Sequence, residues 1–164
     1  MTEADPSLPG SVTLLTDEVR ACVGTTVSYT APEELGRASI RAYAMAIGAP
    51  SDRSPDEAPP TLIFDTCQLT GNTQPDHLGY LGHGWTLPLP VPCTMIRGGN
   101  DYRIARPARA DDVIVTTWEM AEASEVHDRD GMPMLIVTAV GTLRTTDGDL
   151  LGTNTETLLY RPTS

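Results

Sequence analysis

The chain is predicted to fold as a single α+β domain, and three observations carry that expectation. Helical patterns fall in the first half of the sequence and strand patterns in the second, the segregation typical of this class. At 164 residues the chain is long enough for one ordinary domain and short for two. Hydrophobic residues make up 40% and charged residues 20%, a globular rather than a disordered balance.

The first ten residues, rich in proline and acids, read as a loose tail; the domain is expected over 15–164, with 1–14 flexible. Thr16 suits the N-cap of one or two helical turns ending at Cys22, ahead of Gly24. Thr25 to Thr30 is β-branched and aromatic, a short strand. Ile40, Tyr43, Ala44 and Ile47 then fall at i, i+3, i+4 and i+7, one apolar stripe of a helix that Gly48 stops. After a polar loop, Pro59-Pro60-Thr61 opens a second helix, since proline fits a first turn. Leu62, Ile63 and Phe64 make its start nearly all apolar, as expected of a helix buried inside a sheet, and it should end near Gly71.

From Asn72 to Pro92 the chain is rich in glycine and proline and carries His77 and His83. Long irregular segments of this kind are more often functional or interfacial than idle. Strands are expected at Tyr102 to Arg106, Val113 to Val126, Met134 to Thr146 and Thr153 to Arg161. Asp130-Gly131 and Asp147-Gly148 supply tight turns, giving an antiparallel meander. Alternating Thr153, Thr155 and Thr157 put one face of the last strand in solvent or at an interface.

A net charge of -11 argues against nucleic acid as a partner. A local cluster of Arg103, Arg106 and Arg109 is still a candidate for phosphates, or else a set of solvated strand ends. Three cysteines, Cys22, Cys67 and Cys93, cannot all pair within the chain and lie too far apart for a C-x-x-C site, so free thiols in a reducing cytoplasm are expected. No signal-peptide pattern and no membrane-length apolar run occurs, and the expected location is the cytoplasm. Neither a metal nor a cofactor is called for.

The order of short motifs sharpens the fold. Ala46-Ile47-Gly48 closes the first helix and Ala58-Pro59-Pro60-Thr61 opens the second. Gly98-Gly99-Asn100-Asp101-Tyr102, Arg106-Pro107 and Asp111-Asp112 follow. Together they resemble the MaoC-like enoyl-thioester hydratases and dehydratases, closest to their N-terminal, fatty-acid-synthase-type dehydratase branch. The resemblance spans roughly residues 15 to 162 and implies a hot-dog fold, an antiparallel sheet wrapped around a buried central helix. It implies hydration or dehydration of an acyl thioester of coenzyme A or acyl carrier protein, by a homodimer or by a heterodimer with a second MaoC-like chain. A carboxylate and an imidazole would exchange protons with one water, and helix N-terminal amides would stabilise charge on the thioester oxygen.

The chain departs from that pattern where the chemistry is concentrated. The catalytic branch carries Asp-x-Asn-Pro-x-His after Ala-Ile-Gly. Here the stretch reads Ala49-Pro50-Ser51-Asp52-Arg53-Ser54-Pro55, with Ala49 at the Asp position and no histidine before the second helix. Pro60 stands where a glycine is usual and has no N–H, leaving the Thr61 and Leu62 amides as donors. Two readings follow. Either the chain is the substrate-binding, catalytically degenerate subunit of a two-chain enzyme, or it has rebuilt a site from Asp76, His77 and His83, with Asp65 and Cys67 as remote helpers. A histidine flanked by glycines is accessible enough for catalysis, although in such a loop it is more often plain surface. Substrate contacts are expected from Pro60, Thr61, Leu62, Asp65, Trp85, Gly98, Gly99 and Asn100.

The blander readings differ from residue to residue. Trp85 and Trp118 suit a stacked adenine or an acyl tunnel, but large aromatics are usually core or dimer interface. Gly98-Gly99 lacks the features of a phosphate loop and reads as a bend into a strand. Cys67 is a small buried filler rather than a nucleophile, and His127 beside Asp128 is surface. A hot-dog thioesterase dependent on Asp65, a polyketide-tailoring dehydratase or cyclase, and a non-enzymatic stabilising partner remain as alternatives, because one fold hosts unrelated chemistries.

Overall fold

A computed structural model describes residues 12–50, 54–64 and 87–163. Asp52 and Arg53 fall outside them, as do Asp65, Cys67, Asp76, His77, His83 and Trp85 and the expected end of the second helix at Gly71.

Chain order is helix α1 (Asp17–Ala21), strand β1 (Thr26–Thr30), helix α2 (Arg37–Ala46), a helical turn at 62–64, then β2 (Cys93–Ile104), β3 (Ile114–His127), β4 (Pro133–Thr145) and β5 (Leu150–Pro162). The strands form one sheet in the order β1-β3-β4-β5-β2, antiparallel at every pairing. The local signals behave as the sequence predicts. Thr16 Oγ1 accepts from Val19 N–H at 3.3 Å to cap α1. Gly131 and Gly148 take positive φ in the two hairpin turns, where a Cβ would be strained.

One expectation needs correcting. The strand predicted from Tyr102 to Arg106 instead starts at Cys93, so Gly98-Gly99 lies inside it rather than at its mouth. Pairing with β5 slips between Arg97 and Gly99, a bulge that two glycines accommodate and that a count of β-branched residues cannot register. The apolar stripe of α2 marks the helix expected, and it is not buried along its length. Ile40 is buried, but Ile47 is 52% exposed and neighbouring Met45 77% exposed. Periodicity identifies the helix without saying what covers it. Leu14 is wholly buried, and its N–H, with that of Leu15, donates to the Glu125 carboxylate.

The inner sheet face carries two apolar clusters. One gathers Leu62, Ile63 and Phe64 with Ile40, Ile114, Leu143 and Leu151. The other packs Leu14, Leu15 and Val19 against Met120, Leu135, Val137 and Leu158. Burying each large aliphatic or aromatic side chain contributes roughly 1.5–3 kcal/mol, so the turn at 62–64 is a principal anchor. Its close approach depends on Gly152. A Cβ there would sit 2.7 Å from the Arg103 carbonyl oxygen and 3.4 Å from Phe64 Cζ. Trp118, expected as core or interface, is core, and its indole lies on Gly141, 3.0 Å from where a Cβ would be. Thr153, Thr155 and Thr157 lie half-buried on the opposite face.

Gly152→Ala is expected to push β2 away from β5 and destabilise the fold by about 1–3 kcal/mol, read as a lower urea midpoint. A second expectation concerns the β3–β4 hairpin. Asp128 accepts from Asp130 and Met132 N–H, each at 2.9 Å, and from Arg161 at 2.6 Å. The Met132 amide bond first, then the Asp130 amide and the Arg161 charge, hold its carboxyl below the usual 3.8. Its stabilisation is therefore present above the ordinary carboxylate range and lost as pH falls through the lowered value. Asp128→Asn should lower Tm at neutral pH, with the gap to wild type closing in strong acid.

Candidate functional site at the helix entrance and the inner sheet face

The helix entrance is built by backbone chemistry. Ala58 and Pro59 are buried, and Ala58 N–H donates to Ala108 O at 2.8 Å, clipping the loop to the β2–β3 connection. Pro60 and Thr61 are exposed at the tip. Leu62 N–H donates to Pro59 O at 3.0 Å, so the amide expected there as a donor to substrate is already engaged. Thr61 remains the amide at the mouth, and its hydroxyl is 2.8 Å from the Tyr43 hydroxyl on α2. One turn in, the Phe64 ring meets Tyr102 of β2 with centroids 4.3 Å apart. The path Tyr43–Thr61–Phe64–Tyr102 thus joins α2, the helix start and the outer strand into one rim.

Behind that rim the inner face changes from apolar to polar. Glu156, 2% exposed, pairs with Arg97, whose side chain is 27% exposed. Asn154, 4% exposed, donates through Nδ2 to Asn100 Oδ1 at 2.9 Å. Glu156 and Asn100 face each other across β5 and β2, as do Asn154 and Tyr102. Of the substrate contacts predicted from sequence, the structure brings Asn100 into this patch, beside the bulge of Gly98 and Gly99. Pro60, Thr61 and Leu62 stay at the entrance. The sequence reading missed Arg97, Asn154 and Glu156. The available signal was a pair of polar residues alternating with threonines inside a strand whose other inward positions are apolar.

A second feature is an open groove of about 720 Å³ between α2 and the loops at 54–57 and 109–113. Glu34, Asp56, Glu57 and Asp111 line it with Arg37 and Arg109, an excess of two carboxylates. Arg37 is paired with Asp56, whose hydrogen bond and charge raise the guanidinium pKa. The arginines considered for phosphate binding do not converge. Arg106 is clamped by Asp112 at 3.0 Å and reaches Asp149 at 3.4 Å; the Asp112 hydrogen bond is the main cause of its raised pKa. Arg103 lies near Asp101, and Arg109 opens onto the acidic groove. The Cys93 thiol is pushed up by burial, which suits a filler and not a nucleophile. His127, half exposed, stands 4.0 Å from Glu125 at the hairpin end of β3. The helix start packs at Ile114, the other end of that strand and roughly 40 Å away along it. Among the described residues no three His, Cys, Asp or Glu side chains converge as a metal site.

No family model matches this chain, and no curated protein matches it in sequence. Solved structures do match. The ChsH1–ChsH2 complex of Mycobacterium tuberculosis aligns with a TM-score of 0.61 at 14% identity, over 89% of this chain and 93% of that one. The C-terminally truncated HadBC (3R-hydroxyacyl-ACP dehydratase) complex of the same organism aligns at 0.55 and 17% identity, over 84% and 96%. R-hydratase PhaJ1 of Pseudomonas aeruginosa aligns at 0.51 and 16%, over 87% and 83%. This is a hot-dog fold. At such identities the likeness concerns the fold, and residue roles must come from the site itself. No helix among the described residues is long and apolar enough to cross a membrane.

The buried ion pair yields a stability prediction. Arg97→Met should destabilise the fold by about 1–3 kcal/mol, less than for a fully buried pair because the guanidinium is partly solvated. Adding Glu156→Leu should recover much of the loss, as measured by a double-mutant cycle in urea.

Proposed function

We propose that this chain is the substrate-binding subunit of an enoyl-thioester hydratase or 3-hydroxyacyl-thioester dehydratase, working with a second hot-dog chain that supplies the proton-transferring pair. The supporting observation is a mismatch at one place. The helix entrance keeps the Thr61 amide at its mouth and a polar patch behind it, yet Ala49 occupies the loop position of the family's carboxylate. The one described histidine, His127, lies at the far end of β3. Acyl thioesters of coenzyme A or acyl carrier protein are the expected ligands.

Two features of the surface support a partner chain. Among the described residues β2 is an edge strand, and beside the charges of Asp101 and Arg103 it exposes Ile96, Tyr102 and Ile104, apolar surface that a partner strand would cover. Met45 and Ile47 expose the apolar end of α2 beside the same rim. Two of the matching solved structures are themselves two-chain complexes by name.

The test is to assay hydration of a short enoyl-CoA with this chain alone, and then with any MaoC-like protein encoded beside it. Activity in the mixture only is expected. Activity of the chain alone that is lost on His77→Ala or His83→Ala would replace this reading with the rebuilt site, and thiol release lost on Asp65→Asn would replace it with a thioesterase. Ile96→Lys with Ile104→Lys should abolish co-elution of the two chains on size exclusion while leaving the far-UV circular dichroism of this chain intact.

A further inference from the structure

The inner sheet face holds a polar island where packing alone calls for hydrocarbon. On β5, Leu151 belongs to the apolar cluster beneath the helix start and Leu158 to the cluster beneath α1. Asn154 and Glu156 lie between them, both almost completely buried. Replacing a buried ion pair by well-packed apolar residues is often neutral or stabilising, so such an island is weak as a stability device. One of its atoms is also unmatched. Asn154 Oδ1 is sealed from solvent and has no hydrogen-bond partner among the described residues. Leaving a buried acceptor unsatisfied costs stability, because its desolvation is not repaid. Bulges next to binding sites re-aim side chains, and the β2 bulge at Gly98 stands beside Asn100, the residue that holds the Asn154 amide.

We propose that Asn154, held by Asn100 and set beside the Arg97–Glu156 pair, is a specificity site for a hydroxyl on the acyl chain, placed beyond the two reacting carbons. This rests on the acyl-thioester reading above and names the class of acyl group within it.

The chemistry of the site selects that group. Arg97 and Glu156 neutralise each other, so the patch favours a neutral polar group over a carboxylate or an ammonium. A hydroxyl donates the hydrogen that Asn154 Oδ1 lacks and brings no charge with it. Position selects the acyl chain rather than its carrier arm. Gly152 lies beneath Phe64 at the helix start, and Asn154 is one inner-face position further along β5, roughly 7 Å deeper. A thioester at the Thr61 mouth would present a group several carbon–carbon bonds along its tail to that depth. Sites built to hydrogen-bond a hydroxyl discriminate strongly against analogues that lack it, because the buried partner is then stranded.

The experiment is calorimetric titration of the full chain with hexanoyl-CoA, 5-hydroxyhexanoyl-CoA and 6-hydroxyhexanoyl-CoA. At least one hydroxylated ligand is expected to bind tenfold or more tightly than hexanoyl-CoA. Asn154→Leu, close in volume, should erase that difference. Asn100→Ala, at an exposed position, should reduce it and serves where Asn154→Leu does not fold. Equal affinities across the series overturn the inference and leave the acyl-thioester reading intact. So does a preference that survives both substitutions, or a crystal structure in which the hydroxylated ligand leaves a resident water on Asn154 Oδ1. Failure of all three acyl groups to bind, both as coenzyme A and as acyl-carrier-protein thioesters, overturns the acyl-thioester reading itself, and this inference with it.

Discussion

The architecture depends on seating an apolar helical turn against the inner face of an antiparallel sheet. Leu62, Ile63 and Phe64 are all buried there, and the chain around them is arranged to let them in. Gly152 removes a side chain where β2 and β5 pass beneath Phe64, and Gly141 does the same beneath Trp118. Slips in register, at Met120/Glu122 on β3 and Arg97/Gly99 on β2, add local twist to strands that would otherwise present a flatter face. The slip on β3 also resets which residues point inward, so that Ala123 and Glu125 follow Met120 on the inner side.

That face does two jobs in different places. Its ends are apolar and packed, one under the helix start and one under α1, and they account for stability through burial. Its middle, along β5 and β2, carries an ion pair and two amides that burial alone would not select. The loops are fastened separately. Arg106 reaches Asp112 and Asp149, and short backbone bonds tie residues 35–36 and 56–58 to the β2–β3 connection. Fastening the rim in this way holds the helix entrance in register with the polar middle without placing ion pairs in the apolar ends.

Much of the fold was legible in the sequence because its signals are local. A threonine cap, a 3.6-residue stripe, Asp-Gly turns and alternating strands each depend on near neighbours, and all of them hold. The start of β2 was not legible: Thr94 to Gly99 mixes one β-branched pair with arginine and two glycines, and only pairing with β5 makes it a strand. The site was legible in part. Ala49 in the loop after α2 and Pro60 at the helix start are sequence facts, and Asn100 stands in the Gly98–Tyr102 motif. Its meaning was not legible there, because Asn154, its partner, is 54 residues away.

By itself, then, the sequence determined the α+β class, the β3–β4–β5 meander and the apolar helix start. All are set by periodicity or by residues adjacent in the chain. Tertiary structure alone decided that Leu62's amide is engaged, that Arg106 is an internal clamp, that the end of α2 lies bare, and that Glu156 and Asn154 share a buried patch. Those outcomes depend on what faces each group across the sheet, and register brings together residues that no local pattern connects.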